Sequence, residues 1–361
     1  MPIPASNFGM IRVLFLGESN RGSTSYHRFD ALRRIGCDVT LIPVNDFVNL
    51  GGQLRRKCHV LTGFRYHQKT ILQRLRERVS DQRFDIIWVD SGWWCGPKIA
   101  EYLKSVGTKL VLLNLDDPTG PREPLHWKSL IRSIPLFDLC LVVRPETQRD
   151  FIELGCKNTL HVWRCYDEVA HAPERADSIP QGELCSEVAF IGTRMENRHE
   201  FLIRLIELGV PLSIWGNGWQ RGPGWRILKP FYRGSGLEGD AYVAAIKRAK
   251  INLGLLSKLN RDKHTTRSSE IPYAGGVVCM PKTNEHLSMF DDNSEAVLWD
   301  SPEECASRCH RLLNAPEELE KIRQNGRKRI LALNLGNENL VAKSIASALN
   351  YCVEVSLPKL P

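Results

Sequence analysis

The chain has 361 residues, of which 42% are hydrophobic and 25% charged, with 27 Gly and 20 Pro, a composition that excludes disordered, collagenous and coiled-coil chains. Its length suits two domains, each large enough to bury its own core. The net charge of +8 is concentrated, because residues 51–84 carry Arg55, Arg56, Lys57, Arg65, Lys69, Arg74, Arg76, Arg78 and Arg83 against Glu77 and Asp81 alone, a local balance of +7.

In chain order, the N-terminal stretch has no basic residue before its short apolar run and no small-residue cleavage pattern, so no secretory signal is expected. Ile11–Gly17 is a buried strand by pattern, and Tyr26–Gly36 an amphipathic helix closed by glycine. In residues 51–84, Ile71, Leu72, Leu75 and Val79 form an apolar stripe at helical spacing. The cations around it are either a solvated helix face or a surface for an anionic partner, namely nucleic acid, an acidic glycan or a membrane surface. DVTLIPV, FDIIWVD, KLVLLNLD and DLCLVV follow as strands with helices between them, the rhythm of parallel βαβ units. The rhythm stops at Tyr166–Glu187, which is polar and aperiodic and is expected to be an interdomain hinge. It then restarts with EVAFIG, PLSIWG, INLGLL and GGVVCMP, and ends in helical stretches. The expected organisation is an N-terminal Rossmann-like domain over 1–168, a linker over 169–186, a second Rossmann-like domain over 187–335 and a helical tail over 336–361.

The eleven cysteines form no C-x-x-C pair, which suits reduced thiols in a cytosol. Cys305 and Cys309 share a helix face beside His310, but zinc needs further ligands, so no metal site is expected. No apolar stretch approaches the roughly 18 residues of a membrane span. Neither half carries G-x-G-x-x-G or a P-loop, which argues against nicotinamide and nucleoside-triphosphate chemistry, and no D-x-D metal anchor occurs.

Two doubly wound domains place their strand C-terminal ends on a cleft, the expected binding site. In the second half, Gly192 and Thr193 follow a strand, so their N–H groups are expected to face an anion, with Arg194 and Arg198 adding positive charge for a diphosphate. Gly216 and Gly218 follow the next strand, and Arg233 precedes a further helix. Arg267, Glu270, the Gly275–Gly276 pair and Glu285 come after. Glu270 is expected to open a helix and accept two hydrogen bonds from ribose hydroxyls, with the glycine pair letting backbone approach the ligand.

The order strand-G-T-R, I-W-G-x-G-W, R-G, R-x-x-E-I-P-x-A-G-G, T-x-E-H and E-A-x-x-W resembles the spore maturation CgeB-like glycosyltransferases, a branch of the GT-B group. NLDDPTGP and IPLFDLCLVV extend the resemblance into the first half, so that it runs from about Ile11 to Leu333. It implies an α/β GT-B fold and transfer of a sugar from a nucleotide donor, a UDP-sugar first among them, with no other cofactor. The donor would lie on the second domain and the acceptor on the first. In related enzymes a Glu eight residues before the ribose-binding Glu contacts the donor sugar; here that position is Asp262, with the same charge and a shorter reach. Glu285 is similar to a donor-side residue of the group.

On the acceptor side, His27, Asp90 and Asp117 are the candidate bases, with Asp116 beside the last and Trp93 and Trp94 available to stack on a sugar. The expected enzyme is a metal-independent cytosolic glycosyltransferase whose leaving diphosphate is neutralised by Arg194, Arg267 and backbone N–H groups. The alternatives are a sugar-nucleotide epimerase or phosphorylase of the same architecture, or a nucleic-acid-binding protein using the basic segment.

Overall fold

A computed structural model describes residues 11–48, 51–79 and 83–350. The chain divides into two compact units: the first holds the described residues up to Trp163, Leu259–Arg261 and helix Asn337–Leu349, and the second Arg164–Lys258 and Asp262–Gly336.

Six strands build the first unit: β1 Arg12–Gly17, β2 Asp38–Pro43, β3 Phe84–Asp90, β4 Gly107–Asn114, β5 Leu139–Val142 and β6 Thr159–His161. They pair in parallel in the order β2-β1-β3-β4-β5-β6. Their apolar runs are continuous because helices cover both faces, and Val13, Leu14, Phe15 and Leu16 of β1 are all fully buried. Helix Thr24–Arg34 begins where Ser23 Oγ accepts from Tyr26 N, and Gly36 at φ +98° turns the chain back toward β2. Helix Asn337–Leu349 packs on it, tied by Arg34 to Glu338 at 2.6 Å.

The second unit repeats the plan with β7 Ser186–Ile191, β8 Leu212–Trp215, β9 Tyr232–Gly234, β10 Ala249–Leu253, β11 Val278–Pro281 and β12 Val297–Trp299, all parallel, in the order β12-β11-β10-β7-β8-β9. Strand order reverses between β1 and β3 in one sheet and between β7 and β10 in the other, and crevices form outside the carboxyl ends of strands at such points.

The polar segment 169–186 is anchored inside the second unit. Its turn Pro173–Ser178 lies along helix Gly239–Arg248, whose Arg248 donates to the carbonyls of Ala176, Ile179, Pro180 and Glu183 while Lys247 donates to Pro173 O. The apolar stripe of the basic segment falls on helix Gln68–Arg78, where Ile71 and Leu75 are buried and Arg76 and Arg78 face solvent.

Candidate active site

In the first unit, two cavities lie beyond the C-terminal ends of β1, β3 and β4. The larger, of about 690 Å³, is lined by Glu18, Asn45, Arg56, Phe64, Trp93, Asp116, Arg122, His126 and Asn260 among others. Trp93 is half-buried there, with its ring 4.5 Å from Phe64 and 5.4 Å from His126. Trp94, named with it as a stacking residue, is instead a core residue at 0% exposure, edge-on to Phe47. Burial lowers the pKa of His126, so its ring is neutral near pH 7.

The smaller cavity, of about 230 Å³, is lined by Gly17, Glu18, Arg28, Asp90 and Asp116, among others. Asp90 is no free base: Arg28 Nε and its terminal nitrogen each donate to it at 2.8 Å, and both side chains are only 6% exposed. Asp117 is likewise committed. It is wholly buried and accepts from Arg261 at 2.5 and 2.8 Å, from Thr147 Oγ1 at 2.9 Å and from Thr119 Oγ1 at 3.3 Å. Arg261 also reaches Asp150 at 2.9 Å, and Asp117 raises the guanidinium's already high pKa. His27, in the first turn of helix Thr24–Arg34, is half-buried and lines neither cavity. The three residues expected to supply a base are therefore one side chain outside the cavities and two ion-paired carboxylates.

In the second unit, the loops after β7, β8 and β10 surround the switch point. Gly192 N–H does not face outward; it donates to Trp215 O at 2.9 Å, and Arg194 N–H donates to Asn217 O at the same distance, stitching the first two loops together. A side chain at Gly216, φ +149°, would put Cβ 1.9 Å from Gly192 O, so glycine is required there. Arg198 holds the loop, donating to Thr193 O at 3.0 Å and Leu255 O at 3.1 Å, and so acts on the backbone instead of an anion. Arg233 is exposed on β9 and bonded to Pro230 O and Ser213 Oγ. Arg194 differs. Its guanidinium makes no hydrogen bond or ion pair with a described residue, and its side chain lies in the space that Cβ atoms at Gly218 and Gly222 would approach, at 3.7 and 2.1 Å.

Glu270 is the fifth residue of helix Thr266–Tyr273, not its opening residue; Thr265 precedes the helix, and its N–H donates to Ser268 Oγ. The carboxylate is 2% exposed and ionised by side chains, not by the helix end. Arg267 donates to Oε2 at 2.6 Å and Tyr242 Oη at 2.7 Å, while His171 Nε2 stands 3.6 Å from Oε1, beyond hydrogen-bond range. Burial opposes ionisation here, but Arg267, His171 and the Tyr242 bond outweigh it and hold the pKa below its usual value. Arg267 also lies 4.7 Å over the Tyr242 ring and donates to Ile191 O.

Asp262 is only 5% exposed and paired with Arg164 at 3.0 Å, so its carboxylate is not open to a sugar. Arg164 N–H donates to His264 Nε2, which leaves the ring proton on Nδ1 to be donated to Glu285. Gly275 and Gly276 fall at the C-terminal end of helix Thr266–Tyr273, away from the strand C-terminal ends. Gly275, φ +87°, ends the helix with its carbonyl accepting from Arg323 at 2.6 Å, and Gly276 packs against Asn252, Ile246 and Ile271. Arg164, His264, Arg261 and His126 were not singled out from sequence; their partners lie up to 144 residues away, and no local spacing announces them.

The described residues bring three thiols together away from these loops. Cys279 joins Cys305 and Cys309, all buried, with sulfur atoms within 4.8 Å of one another. His310 Nε2 donates to Leu208 O, which leaves the cluster one donor short of a tetrahedral site.

Residues 196–339 match a family model described as "Glycosyl transferase-like". The whole fold matches solved structures of the GT-B kind. Sucrose-phosphate synthase from Thermosynechococcus elongatus has a TM-score of 0.66 at 11% identity, covering 95% of this chain and 99% of its own. α,α-Trehalose 6-phosphate synthase from Burkholderia multivorans scores 0.62 at 13% identity, covering 94% and 100%. HepE from Anabaena, solved in complex with UDP-glucose, scores 0.64 at 14% identity, covering 94% and 99%. Comparison with the sequences of curated proteins returns no match.

Proposed function

We propose that this chain is a glycosyltransferase of the CgeB-like branch that transfers a sugar from a nucleotide donor, with UDP-sugars first among them. The donor binds at the strand ends of the second unit and the acceptor enters the 690 Å³ cavity of the first. The observation that carries this reading is Arg194. It is the one arginine among Arg194, Arg198, Arg233 and Arg267 whose guanidinium is uncommitted among the described residues, and it sits in the loop leaving β7 at the switch point. A guanidinium there, with no acceptor of its own, suits the diphosphate of a nucleotide sugar and stabilises the charge that develops as the diphosphate leaves. The absence of D-x-D from the sequence favours neutralisation by this side chain. The buried, ionised Glu270 supports the ribose assignment, since its Oε1 has no hydrogen bond within normal range from a described residue. On the acceptor side the proposed base is His126, because burial leaves it neutral inside the cavity. The similarity to HepE, whose structure holds UDP-glucose, speaks for a uridine donor. The ten cysteines among the described residues form no disulfide, which favours a cytosolic setting.

Titration calorimetry tests the assignment of Arg194. Arg194→Ala is expected to weaken UDP by about tenfold to a hundredfold, as loss of a charge-assisted hydrogen bond of about 1.5–3 kcal/mol requires, and to leave uridine unchanged. Equal losses for UDP and uridine would overturn the assignment.

A further inference from the structure

Among the described side chains of helix Gln53–Leu61 none is buried, and the helix exposes an apolar stripe where a surface helix is ordinarily polar. Leu54 is 77% and Leu61 62% exposed, one above the other at i and i+7, with exposed Cys58 between them. Tyr66, 78% exposed, follows at the next turn. That turn is rigidly presented: Gly63 and Phe64 both take left-handed backbone, φ +57° and +59°, Phe64 is fully buried, and Ser129 Oγ donates to Gly63 O. Around the apolar face stand Arg55, Lys57, Arg65 and Lys69, all exposed. Between Asp46 and Glu77 the sequence contains no carboxylate.

We infer that helix Gln53–Leu61 and Tyr66 form a docking surface for an anionic lipid membrane, with Leu54, Leu61 and Tyr66 entering the headgroup boundary and the flanking cations pairing with lipid phosphates. A nucleic-acid surface needs the cations but gains nothing from aliphatic side chains pointing outward. A partner protein would leave unexplained why the segment between Asp46 and Glu77 carries cations and no carboxylate. An anionic bilayer satisfies both features together. Another side of the same helix, through Arg56 and Val60, lines the larger cavity, so docking would bring that cavity to the lipid surface. The inference stands whether or not the chain transfers sugar.

Co-sedimentation of the full chain with vesicles tests it. Vesicles of phosphatidylcholine with about 30% phosphatidylglycerol are expected to bind the chain, pure phosphatidylcholine vesicles to bind it weakly, and added salt to release it. The double variant Leu54→Glu, Leu61→Glu is expected to lose at least about tenfold in partitioning, and each of Arg55→Gln and Lys57→Gln about fivefold. All four side chains are exposed, so the thermal midpoint should hold, and an unchanged midpoint certifies each variant. The inference is overturned if anionic vesicles fail to bind the wild type. It is equally overturned if the double leucine variant binds as well as wild type, or if a DNA duplex competes off the vesicles with an affinity that ignores the leucines.

Discussion

Arg267 and Glu270 are neighbours at i and i+3 on one helix, and the pairing decides what each does. Arg267 was expected to meet a diphosphate directly, yet its guanidinium keeps a 2% exposed carboxylate ionised. Removing the cation leaves that carboxylate buried beside Tyr242 and His171 only, so Arg267→Ala is expected to lower unfolding free energy by about 3 kcal/mol in urea titrations. Neutralising the carboxylate as well should recover much of the loss, with Arg267→Ala, Glu270→Gln more stable than Arg267→Ala alone. A double variant no more stable than the single one would show that the pair is not coupled as described. At this scale the sequence was only partly legible. Arg194 stands out in the sequence because glycine and arginine after a strand mark an anion loop, whereas Asp90, Asp117 and Asp262 stand out as carboxylates although distant arginines, Arg28, Arg261 and Arg164, hold them in the fold. Nothing near a carboxylate in sequence reveals a cation that folding brings to it.

The alternating strand and helix pattern exposed the long, doubly covered strands, where apolar runs are continuous. It missed β6, β9 and β12, because each has three residues and too little length to show a period. The sequence reading places a helix start at Glu270 for a similar reason: the boundary lies at Thr265, in a polar stretch without an apolar rhythm. Helix Asn284–Met289 carries a testable consequence of its packing. His286 is fully buried, donates through Nδ1 to Pro281 O at 2.6 Å and accepts from Ser268 Oγ through Nε2 at 2.9 Å. Burial lowers its pKa from 6.5 to about 4. The unfolded chain therefore takes up a proton below about pH 6.5 that the fold refuses, so this contribution to stability is intact above that pH and falls as pH drops toward 4, by about 3 kcal/mol in all. The lowered carboxyl of Glu270 starts to lose its stabilisation only as pH falls through its ordinary value of 4.5, at the acid end of the histidine's range. Denaturation midpoints between pH 7 and 4 should decline less steeply in His286→Gln, which is less stable at pH 7; parallel slopes for the two proteins would rule the histidine out.

Over the whole molecule, two halves of similar α/β rhythm were legible because the alternation restarts after a polar interval, and both sheets have the parallel six-stranded order expected of GT-B proteins. The division falls at Trp163 and Arg164, a few residues before the expected edge, and helix Asn337–Leu349 returns to the first unit instead of standing apart as a tail. Both follow from packing partners far away in sequence, such as Glu338 with Arg34, which composition does not display. No helix among the described residues is long and apolar enough to cross a membrane. Identities of 11 to 14% with solved GT-B structures establish architecture, and fold alone does not fix chemistry. The central claim, that this chain breaks the bond between a sugar and a nucleoside diphosphate, is tested by following diphosphate release from a panel of UDP-, GDP- and dTDP-sugars without added acceptor. Slow turnover to water is predicted for at least one donor, a UDP-sugar first, and Arg194→Ala should reduce it. No release above the enzyme-free rate from any donor in the panel would contradict the account.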